Sequence, residues 1–322
     1  MTWIHELSSR RIGRIRAPLC TAAVVALAAC DAANSLDPNT GETLTLDTPA
    51  LDSLAPAPVG GPSLATAFSG GIPIGTFHLP LSWFGSRYNG ALSNISPNGL
   101  RSELAAVKAR GAKVVLTFTG SPNYYKDAGG HFSLTKWKQR VDRFKGVNID
   151  SYVKDGTVIG HFMIDEPNDP TNWSGRQVSQ STLEEMGRYS KGIWPSMPTI
   201  VRVHPDYFTS NPRYVDAAWA QYLYRRGNVA DYNRKQVSDA QRRGLALIMG
   251  LNVLKGGKPN GTPMSGSEVK SWGSALLSTS YPCAFISWKY SSTYLNQSSV
   301  RDAMSYLRRK AESRGSKTCR GS

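Results

Sequence analysis

Residues 158–169 read Val-Ile-Gly-His-Phe-Met-Ile-Asp-Glu-Pro-Asn-Asp, an apolar run that ends in two adjacent carboxylates and a proline. A short apolar segment without alternation is what a strand buried on both faces looks like, as in a parallel sheet. Pro167 lacks the N–H a central ladder needs, so the strand stops there. Asp165 and Glu166 are therefore expected at the strand's exit, where a buried sheet opens onto solvent or a cavity.

Outward from this strand, β-rich apolar runs alternate with amphipathic stretches. Strands are expected at Ile72–Leu79, Arg87–Ile95, Lys113–Thr119, Thr157–Ile164, Thr199–His204, Ala217–Tyr224, Leu245–Val253 and Ala284–Tyr290. Helices are expected at Pro97–Arg110, with Gly111 as its C-terminal cap, Leu134–Val153, Ser179–Ile193, Val229–Arg243, Ser267–Ser278 and Ser298–Arg314. The order predicts a parallel α/β protein. No Gly-x-Gly-x-x-Gly turn follows any strand, which removes the signature of a dinucleotide fold. Eight strands in about 250 residues predict a single (β/α)8 TIM barrel spanning 71–322.

In such a barrel the loops after the strands converge on one mouth, and the chemistry collects there. A carboxylate pair at that place is partly desolvated and close to like charge, conditions under which one acid can hold a proton near neutral pH. The Asp165-Glu166-Pro167 ending of the fourth strand resembles the retaining glycoside hydrolases of the large (β/α)8 clan, in which that strand ends in Asn-Glu-Pro or Asp-Glu-Pro. The resemblance implies Glu166 as general acid/base and Asp165 as a neighbour that positions a sugar hydroxyl. It also implies Trp288, at the eighth strand's exit, as a platform under the sugar, and Tyr222 as an aromatic contact at the sixth.

One departure matters. The clan's nucleophile is a glutamate at the end of strand seven, and Asn252 occupies that place here. By elimination the candidate second acids at the mouth are Asp127, Asp169, Asp206 and Asp231, and Asp206, after strand five and near His204, is preferred. A separation of roughly 6.5–9.5 Å from Glu166 would leave room for an attacking water, and about 5 Å would mean a covalent intermediate. His78 and His204 are expected to point into the mouth and bind sugar hydroxyls, with Asn252 beside them. The bland alternative for each is barrel packing, and for Glu166 a carboxylate tied to a nearby arginine.

No cofactor is expected. The His-x-His pair of metal-dependent barrels is missing from strand one, so no metal is expected. No Gly-x-Ser-x-Gly elbow and no nucleic-acid module are present. A non-catalytic glycan-binding barrel, or a structural envelope protein, is the rival reading.

The ends locate the work. Arg10, Arg11, Arg14 and Arg16 precede a short apolar stretch, and Leu27-Ala28-Ala29-Cys30 resembles the bacterial lipobox. Residues 1–29 are expected to be a lipoprotein signal peptide and Cys30 the lipidated residue, so that the protein is membrane-anchored in the cell envelope or else secreted. Residues 30–70, rich in Pro, Ala, Ser, Thr and Asp, have the composition of a flexible tether. Four of the 38 Lys/Arg and six of the 23 Asp/Glu fall before residue 71, leaving 34 basic against 17 acidic side chains. That surplus argues for an anionic partner, whether acidic polysaccharide, envelope glycopolymer, anionic lipid or nucleic acid, and a generally basic proteome would produce the same balance. Arg225, Arg226, Arg234, Lys235, Arg242 and Arg243 read as a solvated helix face. Cys283 and Cys319 are expected to pair: a barrel's last helix returns its end to the start of the last strand.

Overall fold

The structure, a computed structural model, describes residues 70–321. The proposed signal, Cys30 and all but the last residue of the tether lie outside the described residues. Eight parallel strands close into a barrel in sequence order: β1 (Ile74–Phe77), β2 (Gly90–Asn94), β3 (Lys113–Thr117), β4 (Val158–Asp165), β5 (Thr199–Arg202), β6 (Ala217–Tyr222), β7 (Ala246–Leu251) and β8 (Ala284–Ser287). The ring closes between β1 and β8, where Ile74 pairs with Phe285.

Two apolar layers follow from the strand period of two. Inward residues, among them Phe77, Leu92, Val115, Phe162, Trp219 and Ile286, fill the barrel. The ring of Trp219 lies 4.5 Å from Phe77 and 5.6 Å from Phe162, so three aromatics plug the interior below the mouth. Outward residues such as Ile74, Met163, Ala218 and Leu247 pack against the helices. Gly75 of β1 lets the first two strands approach closely, for a Cβ there would lie 1.7 Å from the carbonyl oxygen of Gly90.

The helices are α1 (Leu100–Ala109), α2 (Leu134–Asp142), α3 (Asp150–Lys154), α4 (Gln180–Ile193), α5 (Val229–Arg242), α6 (Gly266–Leu276), α7 (Ser292–Leu295) and α8 (Ser298–Glu312). Gly111, at φ 60°, follows α1 as the expected left-handed cap, and Ala112 N–H donates back to Val107 O at 3.1 Å. The single helix expected over 134–153 is instead two. Gly146 and Asn148 break it, and the Asn148 side chain accepts from Asp150 N–H at 3.0 Å just ahead of the second piece. The β1–β2 and β5–β6 connections carry only 3-10 turns, Leu81–Trp83 and Pro205–Tyr207. Among the described residues no helix is long and apolar enough to cross a membrane.

The base of the barrel, at the strands' N-terminal ends, is tied together by the chain's last segment. Cys283, just before β8, and Cys319 form the expected disulfide with their Cα atoms 5.3 Å apart. Beyond it Arg320 donates to Ser196 O, and Gly321 packs so tightly that a Cβ would lie 2.6 Å from the carbonyl oxygen of Gly244. The described chain also enters here: Ile72 N–H donates to Ala311 O at 3.1 Å, beside the end of α8.

Candidate active site

At the opposite end, a cavity of about 400 Å³ opens among the strand exits of β4 to β7. Glu166, Arg202, His204, Asp206, Gln221 and Asn252 are among the residues that line it, with Trp219 beneath. Such a volume falls within the range of small-ligand sites.

Glu166 stands one residue past β4 in a left-handed conformation, φ 41°. That costs a non-glycine residue on the order of 1–2 kcal/mol. The surrounding structure holds it: Glu166 N–H donates to Arg202 O at 3.1 Å, and its carbonyl accepts from Asp169 N–H and the Trp173 indole, each at 3.1 Å. Trp173 is buried. The turn that aims Glu166 is thereby fixed, and its side chain remains 44% exposed.

Arg202 links the acids. Its Nε pairs with Asp165, its Nη2 lies 3.2 Å from Glu166 Oε1, and its Nη1 donates to Gln221 Oε1 at 2.9 Å. Burial alone would lower the guanidinium pKa, but the charges of Asp165 and Glu166 and the Asp165 hydrogen bond outweigh it, and the pKa is raised. Asn172 donates to the other Glu166 oxygen at 3.4 Å. Asp165, bonded to Arg202, is not among the residues lining the cavity.

Of the four candidate second acids, Asp206 alone lines the cavity. Asp127 accepts from the backbone of Gly129 and His131, Asp169 caps the 3-10 turn Pro170–Trp173, and Asp231 pairs with Arg234 on α5. Asp206 is 2.6 Å from Lys235 Nζ, which also reaches Asp239 at 2.6 Å.

His204 Nε2 is 3.2 Å from the Tyr232 hydroxyl, which donates its single proton to Gln221 O at 2.9 Å. The imidazole must then donate in the first contact, which fixes its tautomer. Burial first, and the Arg226 charge second, lower the His204 pKa to about 4, so the ring is neutral at pH 7. Asn252 lines the cavity with its side-chain oxygen turned to Lys255 N–H at 3.0 Å.

Three expected binders lie elsewhere. Tyr222 points outward from β6: it is 2% exposed, packs on Tyr232 and Trp272, and donates to Gly227 O at 2.6 Å. Its neighbour Gln221 takes the inward place. His78, at φ 57°, is exposed. Trp288 continues the ladder beside Asn252, packs on the interior cluster, and has the Lys289 ammonium 5.1 Å from its ring. Neither His78 nor Trp288 lines the cavity.

Arg202, Gln221, Arg225 and Arg226 are cavity residues that sequence reasoning did not place there. An arginine in the otherwise apolar run Thr199-Ile200-Val201-Arg202 was the available signal, since a charge inside a barrel strand needs a partner. The expectation of a solvated helix face holds for Arg234 and Arg242, which pair along α5. It fails for Arg225 and Arg226, which sit on the 3-10 turn Tyr224–Arg226 and face the cavity, because β6 ends before them and a turn carries them over the mouth.

No protein-family model matches the sequence, and no curated protein sequence matches it. Solved structures do. The fold is similar to that of a protein from Parabacteroides distasonis assigned to the glycoside hydrolases, with a TM-score of 0.51 at 11% identity over 77% of this chain and 95% of that one. The catalytic domain of the major endoglucanase of Xanthomonas campestris pv. campestris superposes with a TM-score of 0.47 at 10% identity, over 75% of this chain and 94% of that one. The endocellulase of Pyrococcus horikoshii gives 0.48 at 11% identity, over 74% and 91%. At these identities the first likeness establishes the (β/α)8 fold alone, and the other two add no argument.

Proposed function

We propose that this chain is an exported barrel that binds a polysaccharide and hydrolyses its glycosidic bonds, with Glu166 as proton donor. The observation that carries the reading is that Glu166 and Asp206, from adjacent strand exits, line one cavity at the barrel mouth. In the step proposed, the Glu166 carboxylic acid gives its proton to the glycosidic oxygen as that bond breaks and the alcohol leaves. Water attacks the anomeric carbon and gives its proton to the Asp206 carboxylate. An amide at Asn252 cannot act as the nucleophile, which favours this direct, inverting route over a covalent intermediate. His204, neutral and of fixed tautomer, would meet a sugar hydroxyl. The fold shared with the Parabacteroides distasonis protein is in keeping with this chemistry.

The test is a reducing-end assay on a panel of polysaccharides. Glu166→Gln and Asp206→Asn should each lower turnover about 10²–10⁴-fold with binding retained, the range for loss of a general acid or base. Full turnover by Glu166→Gln would sink the reading.

A second reading, a glycan-binding barrel without hydrolysis, is favoured by the ion pairs that both acids enter, Glu166 with Arg202 and Asp206 with Lys235. Retention on a polysaccharide with no release of reducing ends would select it. Anchoring through a lipid on Cys30 belongs to the same proposal, and Cys30→Ala should move the protein from the membrane to the soluble fraction of its host.

A further inference from the structure

We infer that the sugar taken by this cavity is acidic, and that Arg225 and Arg226 hold its oxyanion substituent, a carboxylate or a sulfate ester. The inference rests on the reading of the cavity as a glycan site.

Three observations lead to it. The first is how the cations are matched. Arg202 is engaged by Asp165 and Glu166, and Lys235 by Asp206 and Asp239. On α5, Arg234 and Arg242 have Asp231 and Asp239. Arg225 and Arg226 have no carboxylate in ion-pair reach among the described residues, and both line the cavity. Both are neighbours on one turn, and a guanidinium offers an oxyanion paired, bidentate hydrogen bonds.

The second is an unpaired buried donor. Gln221 is 6% exposed, and its orientation is set by Arg202, which bonds its side-chain oxygen at 2.9 Å. The amide must therefore present its NH₂ group, and Nε2 has no hydrogen-bond partner. A buried donor left unsatisfied costs roughly 1–3 kcal/mol, and an acceptor oxygen entering the cavity would recover it.

The third is the setting of the arginine turn. Tyr224 N–H donates to Gly256 O at 2.9 Å, Arg226 N–H to Leu223 O at 2.9 Å, and the Tyr222 hydroxyl to Gly227 O at 2.6 Å. The backbone carrying the two guanidiniums is pinned at both ends before any ligand arrives, so only the side chains remain to be ordered on binding.

The experiment is affinity electrophoresis of the full-length protein at physiological salt through gels containing polygalacturonate, alginate, carrageenan or neutral β-glucan. Retention is expected in at least one acidic gel and not in the neutral one. The carboxylate and sulfate gels tell the two substituents apart. The double variant Arg225→Gln/Arg226→Gln should bind at least tenfold more weakly. Arg101→Gln/Arg110→Gln, an equal loss of charge on α1 and at its C-terminal end, should bind as the parent does. Absence of retention in every acidic gel, equal retention in the neutral gel, or equal weakening by both double variants would overturn the inference. Retention that depends on Arg225 and Arg226 without release of reducing ends would fail the hydrolytic reading and leave the acidic-sugar site standing.

Discussion

His161 shows how one buried side chain sets a pH limit. It lies in β4 with no exposed surface, its Nδ1 2.8 Å from Ser190 Oγ, stacked on Trp137 and set against Phe118 and Trp194. Burial drives its pKa from 6.5 to about 3. The folded ring thus stays neutral where the unfolded one takes a proton. Its contribution is intact above pH 6.5 and is lost as pH falls toward 3, at up to about 1.4 kcal/mol per pH unit. His204, lowered to about 4, acts in the same direction. Thermal melts from pH 7.5 to 4.5 should show His161→Phe losing markedly less Tm than the parent, and parallel curves would refute the assignment. At this scale the sequence was legible for position along the chain: Glu166 and Asp206, expected at strand exits, both line the cavity. It was not legible for side-chain phase. Every residue of β6 is buried, so no alternation reveals which face looks inward, and Tyr222 was expected where Gln221 stands. The β4–β5 register shift between Phe162 and Ile164 likewise leaves no trace in composition.

Strand and helix existence was readable because the apolar runs and amphipathic periods are strong, and each of the eight expected strands is present. What escaped was the interruption of the 134–153 helix, where Val147 and Ile149 keep the apolar pattern going across Gly146 and Asn148. A tight element contact offers a prediction here. Gly75→Ala would set a methyl against the Gly90 carbonyl with backbone on both sides and no side chain free to yield. Forcing β1 from β2 should cost about 3 kcal/mol, the upper end of the usual range for overpacking, since the clash is with backbone. A urea titration would register it as a lower midpoint, and an unchanged midpoint would mean the strands part at no cost.

For the whole molecule, the Cys283–Cys319 link closes a loop of 36 residues and fastens the tail beneath the barrel. On the chain-entropy account it stabilises by roughly 3–4 kcal/mol. The double variant Cys283→Ala/Cys319→Ala should lose about that much in chemical denaturation yet keep its glycan affinity, since the link lies at the end of the barrel away from the cavity. Loss of affinity along with stability would show the two ends to be coupled. The pairing was legible from topology alone, because the last helix runs back along the barrel and finishes beside the origin of the last strand.

The chain's point of entry has its own consequence. Gly70, Gly71 and Ile72 reach the barrel beside Ala311 and Glu312, on the floor of the molecule. Any carrier, bead or partner domain spliced ahead of residue 70 is therefore joined to the barrel at the end away from the cavity.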